Sequence, residues 1–242
     1  MHRYFLVAAV LATVSWLVAG ETNFATYKLS LRWPPAHCDA PSFECKPHVL
    51  NTFTIHGLWP QFADGKVVPP YDPDTNRCTD VIPVTDLDPL FRRITPLIEE
   101  LRKYWPNYKD YQNETLNVNF WKHVWKLHGM CSDYPDNPFS YFRTAVSLGI
   151  KYIDPFKGTR ITPRLVPYIA KDISDAIKER LGVYPQIACN EVGGTVQLTE
   201  VRLCFKRDRE NSPSILQDCP IRYAYKCSDG TDEISFVPHL IG

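Results

Sequence analysis

An α+β fold is the expectation from this sequence of 242 residues, and three observations predict it. Residues near the N-terminus alternate between apolar and polar. The middle of the chain repeats apolar residues in steps of three and four. The last quarter returns to short β-rich runs.

The chain opens with Met-His-Arg and an apolar run from Tyr4 to Gly20, interrupted by Thr13 and Ser15. That run is too short for a membrane span and ends in small residues. It reads as a secretory signal peptide over residues 1–20, which implies a secreted, extracellular or vacuolar protein. Residues 21–242 read as a single domain, because no Gly/Ser-rich linker divides them. No later run is long and apolar enough to cross a bilayer, so the mature chain is expected to have no membrane partner.

Tyr27, Leu29, Leu31 and Trp33 alternate with Lys28, Ser30 and Arg32, which predicts a strand with one buried face, stopped by Pro34-Pro35. Phe53 to Leu58 is a second short strand, with His56 in or beside a sheet. Residues 60–80 form a loop anchored by Cys78. Leu87, Leu90, Phe91, Ile94, Leu97, Ile98, Leu101 and Trp105 predict one amphipathic helix, with Pro106 just past its end. Residues 120–129 and 139–148 suit short helices. Thr162-Pro163 is a helix-opening signal, and the helix it predicts carries Leu165, Ile169, Ile173, Ile177 and Leu181 and stops at Gly182. Residues 187–189, 195–205 and 221–227 read as strands.

Eight cysteines, all after the leader, imply up to four disulfides and no spare thiol in an oxidising compartment. Asn113-Glu114-Thr115 is a glycosylation acceptor, which puts Asn113 on the surface if it is used. Twenty-seven basic side chains balance twenty-seven acidic ones. A protein that wraps a DNA duplex is normally strongly basic, so a duplex partner is not expected. A small site gripping one or two nucleotides remains compatible with neutrality.

Two segments carry chemistry. FTIHGLWP holds His56, and FWKHVWKLHGMC holds His123 and His128. Transphosphorylation of RNA needs a base for the 2′-hydroxyl, an acid for the leaving 5′-oxygen, and groups that stabilise charge on five-coordinate phosphorus. Imidazole, with an ordinary pKa of about 6.5, suits both proton transfers. Trp59, Phe120 and Trp121 offer faces for stacking bases. Against this stands the commoner role of a histidine among aromatics, a packed core residue. His123, His128 and Cys131 are close together, but they lack the intervening Glu and the spacing of a zinc-protease site, so no metal and no cofactor is expected. No Gly-x-Ser-x-Gly sequence supports a serine hydrolase.

The wording of the two segments closely resembles the paired active-site signatures of the ribonuclease T2 family. The similarity extends to the strand ending in RWP, the order of the cysteines and the length. The resemblance implies a central, mainly antiparallel sheet with flanking helices, and metal-free cleavage of single-stranded RNA through a 2′,3′-cyclic phosphate. It implies His128 as general base, His56 as general acid and His123 as a phosphate-orienting group. Trp59 would line the phosphate or base site and Phe120 the site of a second base. It further implies the disulfides Cys38–Cys45, Cys78–Cys131, Cys189–Cys227 and Cys204–Cys219. A monomer is expected.

The sequence also departs from the family pattern. Val124 stands where the pattern has Glu, Leu127 where it has Lys, Met130 where it has Thr, and Arg32 where it has Gln. In the family, that Glu and Lys are associated with stabilising the charged transition state. Losing one preorganised group of this kind typically costs about 10²–10³ in rate, while each acid–base histidine contributes about 10²–10⁴. Two functions stand as expectations. One is an attenuated secreted endoribonuclease, with Lys122 or Lys126 as candidate replacement cations. The other is a catalytically degraded storage, defence or recognition protein.

Overall fold

The computed structural model describes residues 24–39, 45, 49–210 and 212–238. The expected signal peptide lies outside the described residues. The elements come in the order β1 (Thr26–Arg32), α1 (Pro34–Cys38), β2 (Thr54–Gln61), α2 (Leu90–Ile94), α3 (Ile98–Tyr104), α4 (Glu114–Leu127), α5 (Pro138–Tyr152), β3 (Arg164–Ile169), α6 (Ala170–Leu181), β4 (Gln186–Val192), β5 (Thr195–Lys206), β6 (Leu216–Gln217), β7 (Tyr223–Tyr225) and β8 (Glu233–Phe236). The α+β expectation holds. The sheet runs β2-β1-β5-β4-β7 and is antiparallel except where β7 pairs with β4 and β8 touches β5.

β1 lies at the heart of this sheet, between β2 and β5. One face carries Tyr27, Leu29 and Leu31, which join Val201, Leu203 and Phe205 of β5 in the apolar core. Helix α5 covers that face. Its Tyr141 hydroxyl donates to the Leu58 carbonyl at 2.8 Å. Gly149 lets the helix come close, since a Cβ there would stand 2.2 Å from Ile55 Cδ1. The sequence predicts that the other face of β1 meets water, and the structure corrects this. Lys28 and Ser30 are buried, because β5 places Arg202 opposite Ser30 and Glu200 opposite Arg32. Charges on neighbouring strands satisfy one another there.

Two bulges interrupt the ladders that join β1 to β2 and β4 to β5. Between β1 and β2 the register jumps from Ser30↔Gly57 to Leu31↔Ile55, so His56 is the extra residue of a bulge. Between β4 and β5 it jumps from Ala188↔Glu200 to Cys189↔Leu198, so Thr199 is the extra residue of another. Bulges bend a strand and re-aim its side chains.

Two sequence expectations fail in the helical region. The single helix over 87–105 is broken into α2 and α3 by a 3-10 turn, Thr95–Leu97. Pro96 has no N–H to continue the helical ladder. The helix expected to open at Thr162-Pro163 instead begins at Ala170, and residues 164–169 form an edge strand paired with β8. Val166 precedes Pro167, and a residue before proline is pushed out of the α region. Leu165, expected on an apolar helix face, is therefore 72% exposed. The helix expected over 120–129 is longer: it starts at Glu114, capped by the Asn113 side chain accepting from the Leu116 N–H at 3.2 Å.

All four expected disulfides form: Cys38–Cys45, Cys78–Cys131, Cys189–Cys227 and Cys204–Cys219. The second ties the loop after β2 to the turn just beyond His128.

Candidate active site

His56 and His128 meet around one tryptophan. The Trp59 indole stands edge-on to the His56 ring at 5.0 Å and lies tilted against the His128 ring at 5.4 Å. A glycine beside each histidine makes this possible. A Cβ on Gly57 would sit 2.2 Å from Trp59 Nε1, and one on Gly129 would sit 2.1 Å from the Trp125 ring. The pairs His56-Gly57 and His128-Gly129 are thus packing devices, in which the missing side chain admits an indole.

Three indoles set the backbone of the site. Trp105 Nε1 donates to the His56 carbonyl at 3.0 Å, Trp121 Nε1 to the Trp105 carbonyl at 2.9 Å, and Trp125 Nε1 to the Val84 carbonyl at 2.8 Å. This corrects the expectation that Trp121 stacks on a base. Trp121 is fully buried and offers no face to a ligand; it supports His56 through Trp105. Phe120 is half-buried, packed against the edge of the core, and His123 is exposed on α4.

The surroundings of His56 are charged. Its Nδ1 lies 2.7 Å from Glu200 Oε1. Arg32 Nη2 lies 2.6 Å from His56 Nε2 and 2.9 Å from Glu200 Oε1. The same Arg32 Nη2 lies 2.8 Å from His56 Nδ1, so the guanidinium meets both ring nitrogens. Glu200 also accepts from Ser30 Oγ at 2.8 Å and from Arg202, whose Nε and Nη2 reach Oε2 at 2.8 and 2.6 Å. Burial and the Arg32 guanidinium together lower the His56 pKa to about 4, against the opposing pull of Glu200. The two guanidiniums and the imidazole hold the Glu200 carboxyl well below the usual carboxylate range despite its burial. Arg32 in turn lies 5.6 Å from the Tyr108 ring centroid, and its Nη1 is 3.4 Å from His37 Nε2.

The surroundings of His128 are apolar. Helix α4 ends at Leu127, and His128 caps it, its N–H bonded to the Val124 carbonyl at 3.0 Å. Val124 is 4% exposed and part of the core. His128 Nδ1 is buried and has no hydrogen-bond partner among the described residues. Burial, aided by His56 and His123, lowers the His128 pKa to about 3. Of the two candidate replacement cations, Lys122 lies 3.6 Å from Asp88 and Lys126 is exposed. Among the described residues, no group of three or more His, Cys, Asp and Glu side chains is arranged to hold a metal ion.

Sequence reasoning did not single out Glu200, Arg202, His37 or Tyr108. A signal was present for two of them: TEVRLCF sets Glu200 and Arg202 two residues apart in an otherwise apolar strand. Charges on one face of a buried strand require partners.

A disulfide-bonded α+β domain with two histidines flanking a tryptophan, beside a buried guanidinium–carboxylate cluster, has the equipment of an acid–base phosphodiesterase. The chain belongs to the Ribonuclease T2 family, whose model matches residues 24–219. It is 30% identical to Ribonuclease 1 of Arabidopsis thaliana over 233 residues, which covers 94% of each chain. It is 28% identical to a ribonuclease-like storage protein of Panax ginseng, over 96% of this chain and 90% of that one. The structure of ribonuclease MC1 from bitter gourd seeds superposes with a TM-score of 0.67 at 28% identity, covering 84% of this chain and 98% of that one.

Proposed function

We propose that this protein is a secreted, monomeric endoribonuclease that cleaves single-stranded RNA without a cofactor. The observation that carries the reading is the pairing of His56 and His128 across Trp59. His128 takes the 2′-hydroxyl proton, and the oxygen attacks phosphorus. The P–O5′ bond breaks, and His56 delivers its proton to the leaving oxygen, giving a 2′,3′-cyclic phosphate. His123, on the same helix, orients the phosphate. Phe120 and the rim of Trp59 contact bases. Asn113 carries a glycan through its amide nitrogen, leaving its oxygen to cap α4.

The pKa values set the pH dependence. His128 is an available base above about 3 and His56 a loaded acid below about 4. The kcat/KM profile, which reports the free enzyme, is therefore expected to be bell-shaped and to fall as pH rises above about 4. This lies on the acid side of the mildly acidic to neutral optimum that ordinary imidazoles predict. A kcat/KM that climbs steadily to pH 10 would sink the mechanism.

A second reading is a ribonuclease-like storage protein. The setting of His128, whose buried Nδ1 has no hydrogen-bond partner among the described residues, favours it, as does the storage name of the ginseng relative. One experiment separates the two. RNA cleavage by the purified protein is measured beside a His56→Ala, His128→Ala double variant prepared identically. Activity that disappears in the variant supports the enzyme; equal activity in both supports storage.

A further inference from the structure

The sheet face beneath His56 holds more positive charge than its anion can offset. Arg32 and Arg202 share one carboxylate, Glu200. Lys28 is buried on the same face of β1. Burial, with Arg202 next in weight, lowers its pKa to about 8, so it remains mostly charged near neutral pH. Glu200 has no spare capacity, since each of its oxygens already receives an arginine and either His56 or Ser30. His37 and His56 are both driven toward their neutral forms, His37 by burial and then Arg32, so neither adds to nor removes from this charge near neutral pH. Burial pushes the Tyr108 hydroxyl up to about 12, so it stays neutral beside Arg32, and the Tyr225 hydroxyl accepts from Arg202 Nη2 at 3.1 Å. The local balance is three cations against one anion in a chain whose net charge is zero.

This surplus has an outlet. A cavity of about 460 Å³ is walled by Arg32, His56, His37, Glu200 and Tyr225, together with Glu191 and Lys226, which pair with each other at 3.1 Å and cancel. Arg32 is at once in that wall, within hydrogen-bond distance of His56 and seated on Tyr108. On the helix side nothing comparable exists among the described residues: Val124 and Leu127 flank His128, and Lys122 and Lys126 are turned to Asp88 and solvent.

We infer that Arg32 is a catalytic residue of the reaction: its guanidinium binds the scissile phosphate and stabilises the charge that develops on the non-bridging oxygens. Glu200 is a positioning residue, fixing the Arg32 fork and the His56 imidazole together. A bound phosphate also raises the proton affinity of His56, because the anion offsets the guanidinium that depresses it. Arg32 thereby loads the acid only when substrate is present. The assignment rests on the ribonuclease reading of the site.

The test compares Arg32→Gln and Arg32→Lys with the unmodified protein. Arg32→Gln is expected to lower kcat on single-stranded RNA by about 10²-fold, with a smaller change in KM, and to weaken binding of inorganic phosphate about tenfold by calorimetry. Arg32→Lys, which keeps the charge, is expected to recover part of both. An Arg32→Gln protein with unchanged kcat overturns the inference. If the protein cleaves no RNA at all, the ribonuclease reading fails separately. Phosphate titration then decides Arg32, and unchanged affinity in Arg32→Gln overturns its role. If Arg32→Gln does not fold, the arginine Nε–H signals of the unmodified protein are followed by NMR during phosphate titration. A shift of the Arg32 signal supports the inference, and its indifference overturns it.

Discussion

His56 and His128 stand on either side of one indole, yet the halves of the site they belong to are built from opposite materials. The sheet half is ionic: His56 sits on a bulge among Arg32, Glu200 and Arg202, with every charge hydrogen-bonded. The helix half is apolar: His128 closes a helix whose neighbouring turn presents Val124 to the core. The two imidazoles nevertheless reach the same state, neutral at pH 7, by different physics. Desolvation acts on both, but at His56 it is joined by positive charge, whereas at His128 it acts almost alone. Two imidazoles against one indole can therefore both be held neutral although the charged groups around them lie on one side only.

The largest effect that separates the halves is expected at Glu200. Glu200→Gln leaves two guanidiniums sharing a neutral amide in a buried place. Breaking a buried ion pair from one side typically costs about 3–5 kcal/mol. At roughly 2–4 °C per kcal/mol for a domain of this size, the melting temperature is expected to fall by about 6–20 °C. Val124→Ala on the helix side removes two methyl groups and is expected to cost about 1–2 kcal/mol. Equal losses in thermal denaturation would show that the sheet cluster is not a paired network.

Acidification comes next. Both histidines have folded pKa values below the ordinary 6.5, so the unfolded chain binds protons first as pH falls. The stability they contribute is fully present above about 6.5 and declines as pH drops toward 4. His37, lowered to about 3 chiefly by burial, adds to the slope. The limit is about 1.4 kcal/mol per pH unit per histidine, and water reaching His56, whose side chain is 26% exposed, reduces its share. Carboxylates such as Glu200 enter only below about 4.5, so the window from 6.5 to 4.5 belongs to the histidines. Thermal melts across that window are expected to fall with pH, and flat melts would contradict the depressed values. Function and stability thus pull in opposite directions along the pH axis.

The two glycines test packing on each side with the same single methyl group. Gly57→Ala meets Trp59 Nε1, and Gly129→Ala meets the Trp125 ring. Each is expected to cost about 1–3 kcal/mol by overpacking. They should differ in activity: Trp59 packs against both histidines, while Trp125 packs against Gly129, the residue after His128. Gly57→Ala is expected to lower kcat more than Gly129→Ala at matched stability. The reverse order would move the organising role from Trp59 to Trp125.

Much of this was legible in the chain, for a physical reason. His56, His128, Trp59 and the eight cysteines lie in short, distinctive strings, and the alternation in β1 reports its core face directly. The Arg32–Glu200 pair was not legible, because strand register joins residues 168 positions apart and no local pattern encodes it. The broken helix at Pro96 and the strand over 164–169 show a different failure. Apolar spacing of three and four describes a face without saying whether the backbone can adopt the helix, and Pro96 and Pro167 decide that it cannot. Trp121 looked like a ligand platform because sequence does not show whether an aromatic face is covered.

The smallest effect, and the sharpest for the comparison, is expected from restoring charge to the helix half. Leu127 is half-buried in the last turn of α4, next to His128, so a lysine there can extend its amine toward the cleft. If the site lacked a cation, Leu127→Lys would supply what a preorganised stabilising group typically gives, about 10²–10³ in kcat. With Arg32 already in place, the new amine acts on charge that is already stabilised, and groups acting on one charge do not add. The expected gain is less than about tenfold. In an Arg32→Gln background the same Leu127→Lys change should gain more, because the two cations then substitute for one another. A double-mutant cycle in kcat measures this directly. Independent, additive effects would mean that the halves act on different steps, and that the charge beneath His56 is structural.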